Sequence, residues 1–337
     1  MCQTYENWEL IVVDDASTDK TPFIVEEYAR KDNRIKFIRN EKNNGPLLLD
    51  VNYNAALREA NGEWIGYLEG DDVFTPKSLE HRVKALSDLT ESKRKNISLV
   101  HGGYGRIWMD KKIVDRTYIY FESYPNIINN KPIGQALLAF LQGINFIASG
   151  SIFINREKIF KIGGFKQYPP EIMAADYCTW SHLSLEGEFL YVPKLLYFWR
   201  RHSTSITMQH HEEIMRNTLS FVEFFWKNNE DRIKYVIPYK YFENCLGILA
   251  KLELAKIKAI KGYYKDSLQL LKEVELCPYL DGVIPDIFRK KFFVTKVASK
   301  FKLGLLARFS LNLKKKIYDK KLGDYKPFFF KELYDID

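Results

Sequence analysis

The sequence predicts an α/β protein: a doubly wound sheet followed by a mostly α-helical C-terminal region. Three observations carry that expectation. Short apolar, β-branched runs alternate early in the chain with stretches at helical spacing. Two of those runs stop abruptly in acidic residues, and beyond about residue 206 helical spacing takes over almost completely.

Residues 10–13 form an apolar run ending at Asp14-Asp15, which reads as a buried parallel strand, because a strand covered on both faces shows no polar alternation. Ser17 or Asp19 can cap a helix over 21–31. A second strand follows at 35–38, and 47–60 alternates at helical spacing until Asn61-Gly62 stops it. Residues 64–68 form a third strand, again ending in acids at Glu69-Gly70-Asp71-Asp72, and Pro76 opens a helix to about 86. Short strands at 97–100, 105–109 and 151–154, with helices at 133–141, 156–162 and 176–185, add an α+β portion. Past 206, Pro238, Pro278 and Pro285 punctuate helices, and 250–260 with 264–275 forms a helical hairpin; one copy does not establish a repeat array.

The 337 residues, 46% hydrophobic and 15% aromatic, suffice for one large α/β domain with an appendage, or for two domains. The net charge of +8 is uneven: residues 1–210 hold 26 basic and 26 acidic side chains, residues 211–337 hold 25 and 17. A basic excess confined to one region suggests an anionic surface as partner, membrane or nucleic acid. No motif for base readout accompanies it, so nucleic acid is not expected. Between 289 and 321 there are twelve Lys or Arg and one acid, with Phe288, Phe292, Val297, Phe301, Leu305 and Phe309 near helical spacing. Such a helix lies on a membrane or packs its apolar stripe inward, the commoner use of such a face. Four scattered cysteines without a C-x-x-C pair argue against a disulfide scaffold or a zinc site and fit a reducing cytoplasm. No run of 18 apolar residues and no signal-peptide pattern is present.

In an open parallel sheet, ligands sit beyond the carboxyl ends of the strands. Two early strands end there in carboxylates, yet neither G-x-G-x-x-G nor a P-loop follows. Binding a nucleoside diphosphate without such a loop calls for a divalent cation, and magnesium or manganese takes one or two carboxylates, leaving positions for phosphate oxygens. One acidic strand end could as well cap the next helix; two on neighbouring strands favour the metal. A Ser-His-Asp hydrolase finds no G-x-S-x-G support.

The run Gln3-Thr4-Tyr5-Glu6-Asn7-Trp8-Glu9-Leu10-Ile11-Val12-Val13-Asp14-Asp15-Ala16-Ser17-Thr18-Asp19 resembles the start of family 2 of the glycosyltransferases, whose fold is GT-A. The likeness continues through Asn43-Asn44-Gly45, Asn54-Ala55-Ala56, Asn61-Gly62-Glu63-Trp64-Ile65, Glu69-Gly70-Asp71-Asp72, Ser151-Ile152-Phe153, Gly163-Gly164-Phe165 and Asp176 to residues 197–205, so it spans about 3–207. The resemblance implies a catalytic domain over 1–207 and a helical, basic region over 208–337. The family's opening strand and helix have no counterpart before Gln3, so the domain is expected to be N-terminally truncated.

By the same resemblance, Asp15, beside Asp14, hydrogen-bonds the nucleotide base, uracil by expectation. Glu69 and Asp71 occupy the outer positions of a D-x-D motif; Asp71 binds the metal and Glu69 lies near the ribose or the metal. Asp72 supports that loop, His202 approaches the diphosphate, and Asp176 is the general base of an inverting transfer. Glu69 stands where Asp is commoner, and Tyr53 where Arg is frequent. The implied reaction moves a sugar from a nucleotide diphosphate sugar, with manganese or magnesium, to a glycan or lipid-linked acceptor in cell-surface polysaccharide synthesis. The implied place is the cytoplasm, with peripheral membrane attachment through 286–321. The competing expectations are an inactive GT-A-fold binding or regulatory protein, and a nucleotidyltransferase, for which the glycine-rich nucleotide loop is missing.

Overall fold

Strand β1 (Leu10–Asp14) pairs in parallel with β2 (Ile35–Arg39), in register from Leu10 opposite Ile35 to Asp14 opposite Arg39. A parallel pair needs a crossover, and α1 (Thr21–Lys31) supplies it. Neither capping candidate holds the N-cap, which is Lys20 without a side-chain cap; Asp19, one residue before it, accepts the Thr21 N–H on Oδ1 at 2.8 Å, while the Ser17 N–H turns back to Asp14. The computed structural model describes residues 2–108, 113–115, 135–143, 145–168, 172–236, 246–275 and 286–304.

Helix α2 (Leu49–Glu59) leads to β3 (Trp64–Gly66), and here one expectation is corrected. The run at 64–68 does not extend the parallel pair. It is the edge of a second sheet, ordered β3, β7 (Phe153–Asn155), β5 (Ile97–Trp108), β8 (Glu188–Arg201), β4 (Val73–Phe74), with β6 (Ile113–Asp115) also on β5. Strand β3 runs antiparallel to β7, and among the described residues no strand bridges β1 to it. An apolar run specifies burial of a strand but not its neighbour.

The strands expected at 97–100 and 105–109 are one strand, β5; Met109 lies outside the described residues. Gly102-Gly103 looks like an interruption in the sequence but serves a close approach. A Cβ on Gly102 would come within 2.3 Å of Leu196 Cδ1 and 2.8 Å of the Val192 carbonyl. Its parallel partner β8 was not expected, because Pro193 breaks the strand pattern. The register steps from Gly102–Val192 to Gly103–Leu195, so Pro193 and Lys194 bulge out where no ladder N–H is required.

Helices α3 (Ser78–Ser87) and α4 (Glu91–Asn96) precede β5; α5 (Gln135–Leu141), α6 (Arg156–Lys161) and α7 (Ala175–Leu183) cover the sheet. After the short α8 (Ile206–Gln209) come α9 (His211–Val236), α10 (Ile248–Ile260), α11 (Tyr264–Glu275) and α12 (Asp286–Lys300). One buried cluster runs from Ile154 and Trp180 through Phe221 and Phe225 to Leu249 and Leu271, so the helical region shares its core with the sheet.

The hairpin expected at 250–260 and 264–275 is α10 and α11. It receives α12, whose Ser299 hydroxyl meets Ser267 at 2.7 Å while Thr295 and Ala298 are fully buried. Up to Lys300 the basic segment thus packs one face inward. Phe301 and Leu303 are 62% and 51% exposed, and residues 305–321, with Pro238, Pro278 and Pro285, lie outside the described residues. No described helix is long and apolar enough to cross a membrane.

Candidate active site

The turn after β3 carries three carboxylates on four residues, closed by the Asp72 N–H to the Glu69 carbonyl at 3.1 Å. Asp72 is anchored first: its Oδ1 accepts the Arg200 N–H at 2.8 Å, tying the turn to the end of β8. Burial, aided by the charges of Asp71 and Glu69, pushes the Asp72 carboxyl up to about 7. Asp71 stands half exposed, with Oδ2 at 2.9 Å from His202 Nε2. His202 Nδ1 lies 2.7 Å from the Thr204 hydroxyl. A carboxylate cannot donate, so in the neutral imidazole Nε2 carries the proton and Nδ1 accepts from Thr204.

Glu69 points the other way. The phenols of Tyr53, at 2.7 Å, and of Tyr67 both donate to its Oε1, their rings edge-on at 4.8 Å. Burial raises the Glu69 carboxyl and the charges of Asp71 and Asp176 raise it further, while the two phenols oppose the shift. Glu69 therefore feels the charges of both Asp71 and Asp176.

Asp176 is the second residue of α7. The N-cap position belongs to Ala174, with no side-chain cap, so Asp176 is not placed there to start the helix. Its Oδ2 accepts from Asn145 Nδ2 at 2.8 Å and from the Ser149 hydroxyl at 3.3 Å, and its Oδ1 accepts the Tyr177 N–H at 2.7 Å. Burial raises this carboxyl despite those three donors and the backbone N–H of Asp176 itself. The residue as a whole is half-buried, and protein surrounds its carboxyl closely.

Asp15 and Asp14 belong to a separate constellation. Asp15 Oδ1 accepts from Asn40 Nδ2 at 2.8 Å and the Asn44 N–H at 2.9 Å, and Oδ2 accepts the Gly45 N–H at 3.2 Å. Burial works to raise Asp15, but these donors outweigh it and hold the carboxyl below its usual range. Asn52, buried on α2, accepts from both Asn40 and Asn44 and completes the loop. Asp14 is buried, with Arg39 at 3.4 Å from its Oδ2 and no hydrogen-bond partner for Oδ1. A depression of about 910 Å³ beside this loop is lined by Ser17, Arg39 and Asn40 among others, and by none of Glu69, Asp71, Asp176 or His202.

Two features hold α2 against the far side of the site. Asn54 exchanges hydrogen bonds with the Phe165 backbone at 2.8 and 3.0 Å. Gly164, at φ +89°, makes that possible: a Cβ there would lie 2.3 Å from Asn54 Oδ1, and the backbone conformation itself favours glycine.

Residues 2–163 match the family model described as Glycosyl transferase family 2. That segment is what this chain shares with the glycosyltransferases of family 2. An uncharacterized glycosyltransferase of Haemophilus influenzae is 29% identical over 215 residues, covering 63% of this chain and 62% of that protein. The UDP-Glc:alpha-D-GlcNAc-diphosphoundecaprenol beta-1,3-glucosyltransferase WfgD of Escherichia coli is 38% identical over 102 residues, 30% of this chain and 36% of that protein. The chain thus spans less than two thirds of the length of these two relatives. Among solved structures, the mannosyltransferase PcManGT of Pyrobaculum calidifontis, with GDP-Man and Mn2+, aligns at 17% identity and a TM-score of 0.49, covering 89% of this chain and 79% of that one.

Asp71 and His202 are held together by a hydrogen bond at 2.9 Å, and a cation would take the place of the Nε2 proton between them. Two adjacent ligands at about 2.1 Å from an octahedral ion lie about 3.0 Å apart, and Oδ2 and Nε2 are separated by 2.9 Å. Among the described residues no three His, Cys, Asp or Glu side chains form a ready-made cage. A cation shared with phosphate oxygens requires only one or two protein ligands. The sequence grouped Glu69 with Asp71 and gave His202 to the diphosphate; in the structure His202 meets Asp71 and Glu69 meets two tyrosines. Asn145, Ser149 and Tyr67 escaped sequence reasoning. Asn, Ser and Tyr carry no signal of their own, and Asn145 lies 31 residues from the carboxylate it touches.

Proposed function

We propose that this domain transfers a sugar from a nucleoside diphosphate sugar, a UDP-sugar by preference, to a hydroxyl of a glycan or lipid-linked acceptor in one inverting displacement. The observation that carries the reading is that Glu69 feels both Asp71, which is paired with His202, and Asp176, a closely surrounded carboxylate without a cationic partner among the described residues. The name of the Escherichia coli relative supports both the UDP-sugar and the lipid-linked acceptor.

Asp71 and His202 would hold manganese or magnesium, which when bound supplies positive charge to the leaving diphosphate. Asp72, fastened to the Arg200 N–H, fixes the turn from which Asp71 projects. Glu69, held by its two phenols, lines the floor between donor and acceptor sides. The nucleotide base is assigned to the loop that Asp15 organises beside Asp14. Asp176 removes the acceptor proton, so that the acceptor oxygen attacks the anomeric carbon from the face opposite the diphosphate. A single displacement inverts that centre and needs no protein nucleophile.

The reading is tested by offering a panel of UDP-sugars with manganese and glycoside acceptors, following UDP release and the product's anomeric coupling constant by proton NMR. Inversion is expected. A product of retained configuration overturns the mechanism, and a domain that turns over no nucleotide sugar overturns the function.

The proposed place is the cytoplasmic face of the membrane, held there by the basic segment. Substituting Gln for Lys314, Lys315, Lys316, Lys320 and Lys321 leaves the packed part of α12 intact, and is expected to reduce co-sedimentation with phosphatidylglycerol vesicles severalfold. Equal sedimentation of parent and variant removes the segment as an anchor.

A further inference from the structure

We infer that Asp176 takes the acceptor proton on Oδ1, and that Asn145 and Ser149 are the positioning residues that assign it there. The inference rests on the reading of Asp176 as the base. An ionised carboxylate offers about four lone-pair sites, two on each oxygen. Both on Oδ2 are filled, by Asn145 Nδ2 and the Ser149 hydroxyl. On Oδ1 the Tyr177 N–H fills one. The backbone N–H of Asp176 itself also acts on the carboxyl, so Oδ1, which carries one donor from its neighbours against two on Oδ2, is the oxygen left to an incoming hydroxyl.

The two donors are themselves fixed. An amide can be turned end for end, but Asn145 Oδ1 accepts the Ile147 N–H at 3.3 Å, which leaves Nδ2 to face Asp176. Ser149 opens a 3-10 turn, Ser149–Ser151, which the Ser151 N–H and hydroxyl close on the Ala148 carbonyl at 2.9 and 2.7 Å. Gly150 in that turn lies flat on Tyr197, where a Cβ would stand 2.3 Å from the ring. Tyr197 also reaches Asp72, so the turn that holds the base is braced on the strand that holds the cation side.

The choice of donors matters chemically. The charged or titratable groups facing Asp176 are Glu69 from the turn after β3, Tyr53 from α2, and Tyr177 and Cys178 of its own helix. Among the described residues no Lys, Arg or His pairs with it. A cation would keep the carboxylate charged at the cost of its basicity. Neutral donors oppose the effect of burial, favouring the ionised form without the charge that would cancel its basicity. In the step itself the acceptor O–H bond breaks and its proton goes to Oδ1. The acceptor oxygen's electron pair forms the new bond to the anomeric carbon, and the pair of the broken carbon–oxygen bond leaves on the diphosphate.

The test is the pH profile of kcat/KM for the parent, Asn145→Ala, Ser149→Ala and Ser149→Thr, with the UDP-sugar and glycoside that the panel identifies. Removing a donor to the ionised form raises the base's pKa. The acid limb of the profile should therefore move up by about one pH unit in Asn145→Ala, which lowers the rate about tenfold below the limb and little above it. Ser149→Ala should move the limb the same way by less, and Ser149→Thr, which keeps the hydroxyl, should restore the parent profile. Binding of UDP with manganese, measured by calorimetry, should be unchanged in all four. A merely structural role predicts lower melting temperatures without a displaced limb. Superposable limbs in both alanine variants, with Asp176→Asn inactive, overturn the inference and spare the base. An active Asp176→Asn overturns the base and this inference with it.

Discussion

Replacing Asp176 with Asn is expected to lower sugar transfer by about 10²–10⁴-fold while leaving UDP–manganese binding in place, the cost typical of losing a general base. The substitution keeps the size of the side chain and removes its basicity. Its effect on the fold should be small, for two opposing reasons. The buried carboxylate no longer has to be ionised, which favours Asn. Its three partners, Asn145, Ser149 and the Tyr177 N–H, are all donors, however, and the Asn amide group brings a fourth donor among them. Initial rates of UDP release measure the first effect, and a thermal melt the second. Near-parent turnover would remove Asp176 from the mechanism. A helix-capping role is no alternative, since Ala174 holds that position.

The second large effect is expected at the cation pair. Asp71→Asn and His202→Ala should each weaken manganese-dependent UDP binding by about 100-fold or more, since even partners one step removed from a metal are worth about 10–100-fold. Glu69→Gln should weaken it far less, because Glu69 Oε1 is taken up by Tyr53 and Tyr67. That contrast separates the structure from the sequence expectation, which placed Glu69 with Asp71 at the metal. Asp71 projects from a turn and is half exposed, so its loss should spare the melting temperature. Calorimetric titration of UDP in the presence and absence of manganese checks all three variants. Equal affinity in Asp71→Asn and the parent would move the cation elsewhere.

The strands at Leu10–Asp14 and Ile35–Arg39, the helices at Thr21–Lys31 and Tyr264–Glu275, and the family itself were legible in the chain. Their signals are local: an apolar run, a helical spacing, an acid at a strand end. The carboxylates Glu69, Asp71, Asp72 and Asp176 were singled out in the same way, by the order of motifs, and their roles are what the variants above test.

Three things were not legible, and each depends on residues far apart in the chain. Strand β8 was hidden by Pro193, which only a bulge opposite Gly102-Gly103 accommodates. Strand β3 looked like a third parallel strand, but its partner Phe153–Asn155 lies about ninety residues on, and periodicity does not name partners. The third concerns which acid does what. By itself the sequence determined the kind of groups present and the family that residues 2–163 match, since those follow from side-chain chemistry and short-range pattern. Only the tertiary structure decided that Asp71 faces His202, that Glu69 is turned onto two phenols, and that Asn145 and Ser149 both donate to Oδ2 of Asp176. The reason is physical: a carboxylate's role depends on which donors and charges surround it, and here those arrive from β8, α2 and the loop before Ser149–Ser151, brought together by burial of a common core.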